Sequence, residues 1–163
     1  MKTIRASILI PADVEKVFQV LSDIRHIDKV IPEITAIELI TDGPVDVGTR
    51  FRETRQMENK KPHTEELTVV ELSHELHTIV FECASMGAVF RSKMNVVRMQ
   101  DHHCEATTEM TIRPQNIIAS GIWVLLGSMT RRMMAQALQQ DLEHVRDHVL
   151  GVVPEDASSD AAD

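Results

Sequence analysis

The chain has 163 residues, 43% hydrophobic and 26% charged, with a net charge of −8 at neutral pH. That is enough chain for one globular domain, and it is too apolar to stay disordered. It is also too acidic to bind nucleic acid through its overall charge. With only two cysteines no disulfide scaffold is available, so a reducing compartment, the cytoplasm, is expected.

Thr3–Ile10 reads as a strand rich in β-branched residues and closed by Pro11. The apolar run of this opening segment is too short for a signal peptide. In the following ADVEKVFQVLSD, Val14, Val17, Phe18 and Leu21 recur at the spacing of an amphipathic helix. Asp13 and Glu15 put negative charge in its first turn, where the helix dipole favours it. Ser22 or Asp23 can cap a second short helix carrying Ile24, Ile27 and Ile31, which Pro32 stops. Six strands are then predicted: Thr35–Thr41, Thr49–Met57, Thr64–Leu72, Leu76–Ala84, Ala88–Met99 and Cys104–Arg113. The breaks between them are turn sequences, too short for a crossover helix, so the pairing should be an antiparallel meander. A two-residue loop at Met86-Gly87 would set Cys83 against Phe90, Phe81 against Ser92 and Ile79 against Met94, with Arg91, Lys93 and Asn95 on the other face. From Ile117 to about Val149 the chain reads as helix, stopped by Gly151 and Pro154. Its apolar start, Ile117 to Leu126, is far below the ~20 residues that span a bilayer, so no stable membrane insertion is expected. PEDASSDAAD reads as a disordered acidic tail over 151–163, leaving 1–150 as a single domain.

This order of one strand, two short helices, a six-stranded meander and a long C-terminal helix resembles the START-like, or SRPBCC, superfamily. That group includes the major birch pollen allergen, lipid-transfer START domains and polyketide cyclase/dehydrase-like proteins. The stretches ASILIPADVEKVFQVLSD, VDVGTRFRE and RRMMAQALQQDLEHVRDHV are similar to the last group, and the resemblance covers about residues 3–150. One departure is the lack of a tryptophan near His26–Lys29, where such proteins often carry one. The resemblance implies an α+β helix-grip fold, in which a curved antiparallel sheet wraps around the long helix and leaves a cavity. Physics agrees, since a wide sheet and one helix cannot close completely over each other.

If Phe51 points inward, period-two alternation turns Glu53 and Arg55 inward as well. A lone buried charge is costly, so the two should pair with each other, with another cavity residue or with a ligand, unless they reach water at the strand end. Phe81, Phe90, Met94, Met110 and Met134 suit either a pocket for apolar ligands or plain core. On the final helix the stripe Leu138, Leu142, Val145 and Val149 continues at 100° per residue through Met134 and Arg131. Arg131 would then face the sheet and pair with Glu53 or hold a ligand carboxylate, unless the helix kinks near Gly127. Ile122, Leu126, Met129 and Met133 would form an outer stripe that needs a cover, either a second copy in a homodimer or a membrane during lipid delivery.

His144 and His148 stand at i, i+4 with Asp141 at i−3, on the side read as opposite Leu142. Three exposed ligands without an HExxH pattern read as a solvated face, and neither metal nor cofactor is expected. His26 and His63 could approach a cavity mouth, where imidazole can act as acid or base. Cys83 and Cys104 read as small buried hydrophobes. No nucleophile elbow, phosphate loop or CxxC pair occurs, and no catalytic residue is assigned. The expected function is binding of a small hydrophobic molecule (a lipid, a polyketide-like or an aromatic compound) between sheet and helix, oriented by Glu53, Arg55 and Arg131. Two alternatives stand beside it. One is an enzyme resembling the polyketide cyclases and dehydratases, with Glu53 as base and Arg55 or Arg131 stabilising an enolate. The other is a lipid or quinone chaperone docking through the Ile122–Met133 stripe.

Overall fold

The structure, a computed structural model, describes residues 2–57, 60–116 and 127–152. The chain runs β1 (Lys2–Ile10), α1 (Val14–Ser22), a 3₁₀ helix (Ile24–Lys29), β2 (Ile34–Leu39), β3 (Arg50–Gln56), β4 (Pro62–Ser73), β5 (Thr78–Ser85), β6 (Ala88–Arg98), β7 (Cys104–Pro114) and α2 (Gly127–Leu150). The seven strands form one antiparallel sheet in the order β1-β7-β6-β5-β4-β3-β2. This is the α+β helix-grip arrangement expected from the sequence. The second short helix is a 3₁₀ segment, not an α-helix, and ends before Pro32.

Turn chemistry fixes the register. Met86 (φ 49°) and Gly87 (φ 72°) both lie in the left-handed region, as a tight two-residue hairpin requires. Ser85 therefore pairs with Ala88, Cys83 with Phe90, Phe81 with Ser92 and Ile79 with Met94, the pairings read from the sequence. Irregularities between Ile34 and Ala36 and between Val69 and Glu71 interrupt the ladders of β2 and β4. Such bulges bend a sheet, and here they fall on the strands beside β3.

The concave face is solid at one end. Ile10, Phe51, Val69, Ile79, Val96, Cys104 and Ala106 are buried there, against Val17, Phe18 and Leu21 of α1 and Leu142, Val145 and Val149 of α2. Each such aliphatic or aromatic side chain contributes roughly 1.5–3 kcal/mol by leaving water. At the end of α2, Gly151 takes φ 68°, its N–H reaching the His148 carbonyl at 3.1 Å while the Val152 N–H reaches that of Asp147 at 2.9 Å. Those two bonds stop the helix. Lys16 Nζ of α1 donates to the Val149 carbonyl at 2.8 Å, placing a cation on the negative end of the α2 dipole.

The convex face is a field of exposed ion pairs, including Arg50–Glu66, Arg52–Glu38 and Arg91–Glu82. Pairs so exposed contribute roughly 0–1 kcal/mol each. Ile122, Leu126 and the acidic tail beyond residue 152 lie outside the described residues, as does the side chain of Met129; Met133 is exposed. No described helix is long and apolar enough to cross a membrane.

Candidate functional site

Across the middle of the concave face several apolar side chains are only half-buried, among buried ones such as Ile112 and Ala88. Leu67 of β4, Cys83 of β5, Phe90 and Met94 of β6 and Met110 of β7 are half-buried, as is Met134 of α2. Phe51 and Phe81 are buried and packed edge to face with ring centroids 5.7 Å apart. Phe90, Met94, Met110 and Met134 are thus half-buried and packed against the core that holds Phe51 and Phe81.

Polar groups of this face sit on β3 and β4. Alternation carries Glu53 and Arg55 to the same face as Phe51, as expected from the sequence. Arg55 Nε points to Glu53 Oε1 at 3.3 Å. Its two terminal nitrogens, Nη1 and Nη2, donate to both carboxylate oxygens of Asp141 at 2.9 and 3.0 Å. This bidentate bridge ties β3 to α2. The side chains of Arg55, Glu53 and Asp141 keep only 25%, 22% and 15% of their exposure. Burial raises the Glu53 carboxyl above its ordinary value, against the opposing pull of Arg55. Burial would weaken the Arg55 cation, but Asp141 and Glu53 outweigh it and hold the proton more tightly than usual.

Across the strand pair, Glu65 stands directly opposite Glu53, and His63 opposite Arg55. His63 Nε2 lies 2.9 Å from Glu65 Oε1, and the Cys83 thiol contacts Glu65 Oε2 at 3.7 Å. Burial, reinforced by Glu65, pushes that thiol up to about 12, which makes it a poor nucleophile at neutral pH. Glu53 and Asp141 therefore hold the Arg55 guanidinium between them, with Glu65 across the strand pair from Glu53.

Three expectations are corrected. Arg131, expected to face the sheet, is exposed, and the partner of Arg55 is Asp141. Asp141, expected on a solvated His-rich face, points at β3. The signal is present in the sequence: Asp141 follows Leu138 by three residues and precedes Val145 by four, which places it on the flank of the buried stripe. Its carboxylate alone suggests the outer face and masks that spacing. His144 is half-buried and approaches Glu33 at 3.4 Å, so it does not share a ligand set with exposed His148. No cluster of three metal-ligating side chains occurs among the described residues. His26 is exposed and paired with Asp23 at 2.9 Å on the 3₁₀ helix.

Two open clefts lie away from the Met/Phe lining. One, about 310 Å³, is bounded by Asp13, Arg98, His102 and His103; the other, about 610 Å³, lies along β1 and α2 beside Arg5, Arg132, Gln136 and Gln139. Neither includes Phe90, Met94, Met110 or Met134 in its walls.

Residues 1–149 match the family described as polyketide cyclase / dehydrase and lipid transport. The chain belongs to this family. No protein of curated description matches it. Among solved structures, TTHA0849 from Thermus thermophilus superposes with a TM-score of 0.71 at 18% identity, covering 94% of this chain and all of that one. Norcoclaurine synthase from Thalictrum flavum, in complex with dopamine and hydroxybenzaldehyde, gives 0.68 at 18% identity over 94% of this chain and 89% of that one. The di-domain ARO/CYC protein BexL from the BE-7585A biosynthetic pathway gives 0.65 at 14% identity, over 88% of this chain and 47% of that one. At these identities the likeness is one of fold.

Proposed function

We propose that the chain binds a small, mostly apolar molecule between the half-buried patch of its concave face and α2. The observation that carries this is a group of half-buried apolar side chains on a face otherwise closed to water. Leu67, Phe90, Met94, Met110 and Met134 keep partial access to water, while Phe51, Phe81, Ile79 and Ile112 beside them are buried. Met side chains adapt to ligands of varied shape. Burial of apolar ligand surface would supply affinity at about 25 cal/mol per Å² before the costs of association. Glu53 would orient the ligand through a hydrogen bond to a hydroxyl or carbonyl oxygen, since a carboxyl raised by burial can donate as well as accept. Membership of a family described by both cyclase/dehydrase activity and lipid transport supports a ligand of this class.

One observation favours turnover as a second reading. Glu53, whose carboxyl is raised by burial above its ordinary value, faces Glu65 across the strands, and Glu65 carries His63. An acid and a base then flank one region of the site, as a cyclisation or dehydration of a polyketone requires.

Titration with the neutral fluorophore N-phenyl-1-naphthylamine, followed by displacement with 1-dodecanol, tests binding. Saturable binding is expected, weakened about tenfold or more by Leu67→Trp, which fills the half-buried patch. Unsaturable fluorescence, or an unaffected Leu67→Trp variant, would count against the reading.

A further inference from the structure

Arg55 is the one cation among the described residues that stands on the apolar-lined concave face, and a cation in an apolar pocket ordinarily invites a carboxylate. Here its hydrogen-bonding fork is already occupied. Nη1 and Nη2 meet the two oxygens of Asp141 at 2.9 and 3.0 Å, and Nε is directed at Glu53. Arg131, the other cation that the sequence directed at the sheet, is exposed. An incoming carboxylate would find no vacant pair of donors and would approach Glu53, Glu65 and Asp141 across a partly dehydrated space. Unpaired charge in such a place is expensive.

We propose that Asp141 determines ligand class: by engaging the paired N–H fork of Arg55 and balancing its charge it withdraws the guanidinium from ligand binding, so that the site accepts neutral apolar molecules bearing a hydroxyl or carbonyl and rejects carboxylates. The inference rests on the reading of the concave face as a binding site and adds to it the polarity of the ligand. Asp141 is a positioning residue here, acting on the ligand through Arg55. Specificity of this kind is a difference of two affinities, set by an unfavourable contact with the wrong ligand as much as by a favourable one with the right ligand.

The test compares 1-dodecanol with dodecanoate at neutral pH on the full chain, as displacement of N-phenyl-1-naphthylamine. Wild type should prefer the alcohol by about tenfold or more. Asp141→Asn removes the bidentate acceptor and frees at least one guanidinium nitrogen, so dodecanoate should bind on the order of ten- to hundred-fold tighter, the worth of a charge-assisted hydrogen bond, while dodecanol changes little. Asp147→Asn removes the same charge from α2 away from the site and should leave the preference as in wild type. In Asp141→Asn/Arg55→Met the gain should vanish. Equal binding of alcohol and carboxylate by wild type overturns the inference while leaving the binding reading intact, and that comparison does not depend on any variant folding. An unchanged preference in a folded Asp141→Asn also overturns it. Failure of every probe to bind wild type defeats the binding reading itself, and the inference with it.

Discussion

Replacing Arg55 by Met removes the positive centre from the most buried charge cluster among the described residues and leaves its shape largely filled. Asp141 and Glu53 would then face each other's region with 15% and 22% of their side-chain surface in water and no cation between them. Breaking a fully buried ion pair by removing one partner costs about 3–5 kcal/mol, and an exposed pair about 0–1 kcal/mol. Partial access to water places Arg55→Met between these limits, at about 2–3 kcal/mol. For a domain of this size that lowers Tm by about 5 to 10 °C. Urea melts at pH 7 would read the loss directly. A cycle with Asp141→Asn should return a coupling of about 1 kcal/mol or more, because the two side chains share two hydrogen bonds. The triple variant Arg55→Met/Glu53→Gln/Asp141→Asn should recover more than half of what Arg55→Met loses, since the stranded charges are gone. A loss under about 0.5 kcal/mol, or strict additivity with Asp141→Asn, would refute the view that the cluster is dehydrated and interdependent.

Three further outcomes follow from the same structure. Glu53 is raised above its usual 4.5 in the folded chain, so the fold favours its protonated form: its contribution is fully present below that value and lost as pH rises through the folded one. Glu53→Gln holds the side chain neutral, so its stability relative to wild type should be highest near pH 7 and should decline as the pH is lowered towards 4; a relative gain that grows on acidification would contradict the burial argument. Cys83, held up to about 12, should resist iodoacetamide at pH 7.5 in the folded chain and react once urea unfolds it; rapid alkylation of the native protein would be the opposite result. Leu142→Ala, in the closed part of the core, should cost about 2–5 kcal/mol in urea melts, whereas a loss below about 1 kcal/mol would mean that the interior there is loosely packed.

Much of the fold was legible because its elements announce themselves locally. The α1 stripe of Val14, Val17, Phe18 and Leu21 and the α2 stripe of Leu138, Leu142, Val145 and Val149 are buried as their spacing requires. The Met86-Gly87 loop set the β5–β6 register outright, because a two-residue connection permits few pairings. Glu53 and Arg55 were placed by alternation from Phe51. The rest needed three dimensions. No local signal says that β3 passes beside residue 141, eighty-six positions along the chain from Arg55. An ideal 100° rotation extended up the helix carries Arg131 inward, but a long cation at the end of an apolar stripe can turn to water at little cost. The irregularity between Val69 and Glu71 escapes a sequence reading because TVVEL carries neither Gly nor Pro to mark it.

The central claim is that the half-buried patch of the concave face receives an apolar molecule. Methyl-selective NMR of a ¹³C-methyl-methionine sample titrated with 1-dodecanol tests it most directly, because the nine methionines report on distinct parts of the molecule. The signals of Met94, Met110 and Met134 should shift together and saturate, while that of Met86, 70% exposed on the β5–β6 loop, stays in place. Shifts confined to Met86 or to other exposed methionines such as Met99, with Met94 and Met110 unmoved at saturation, would contradict it.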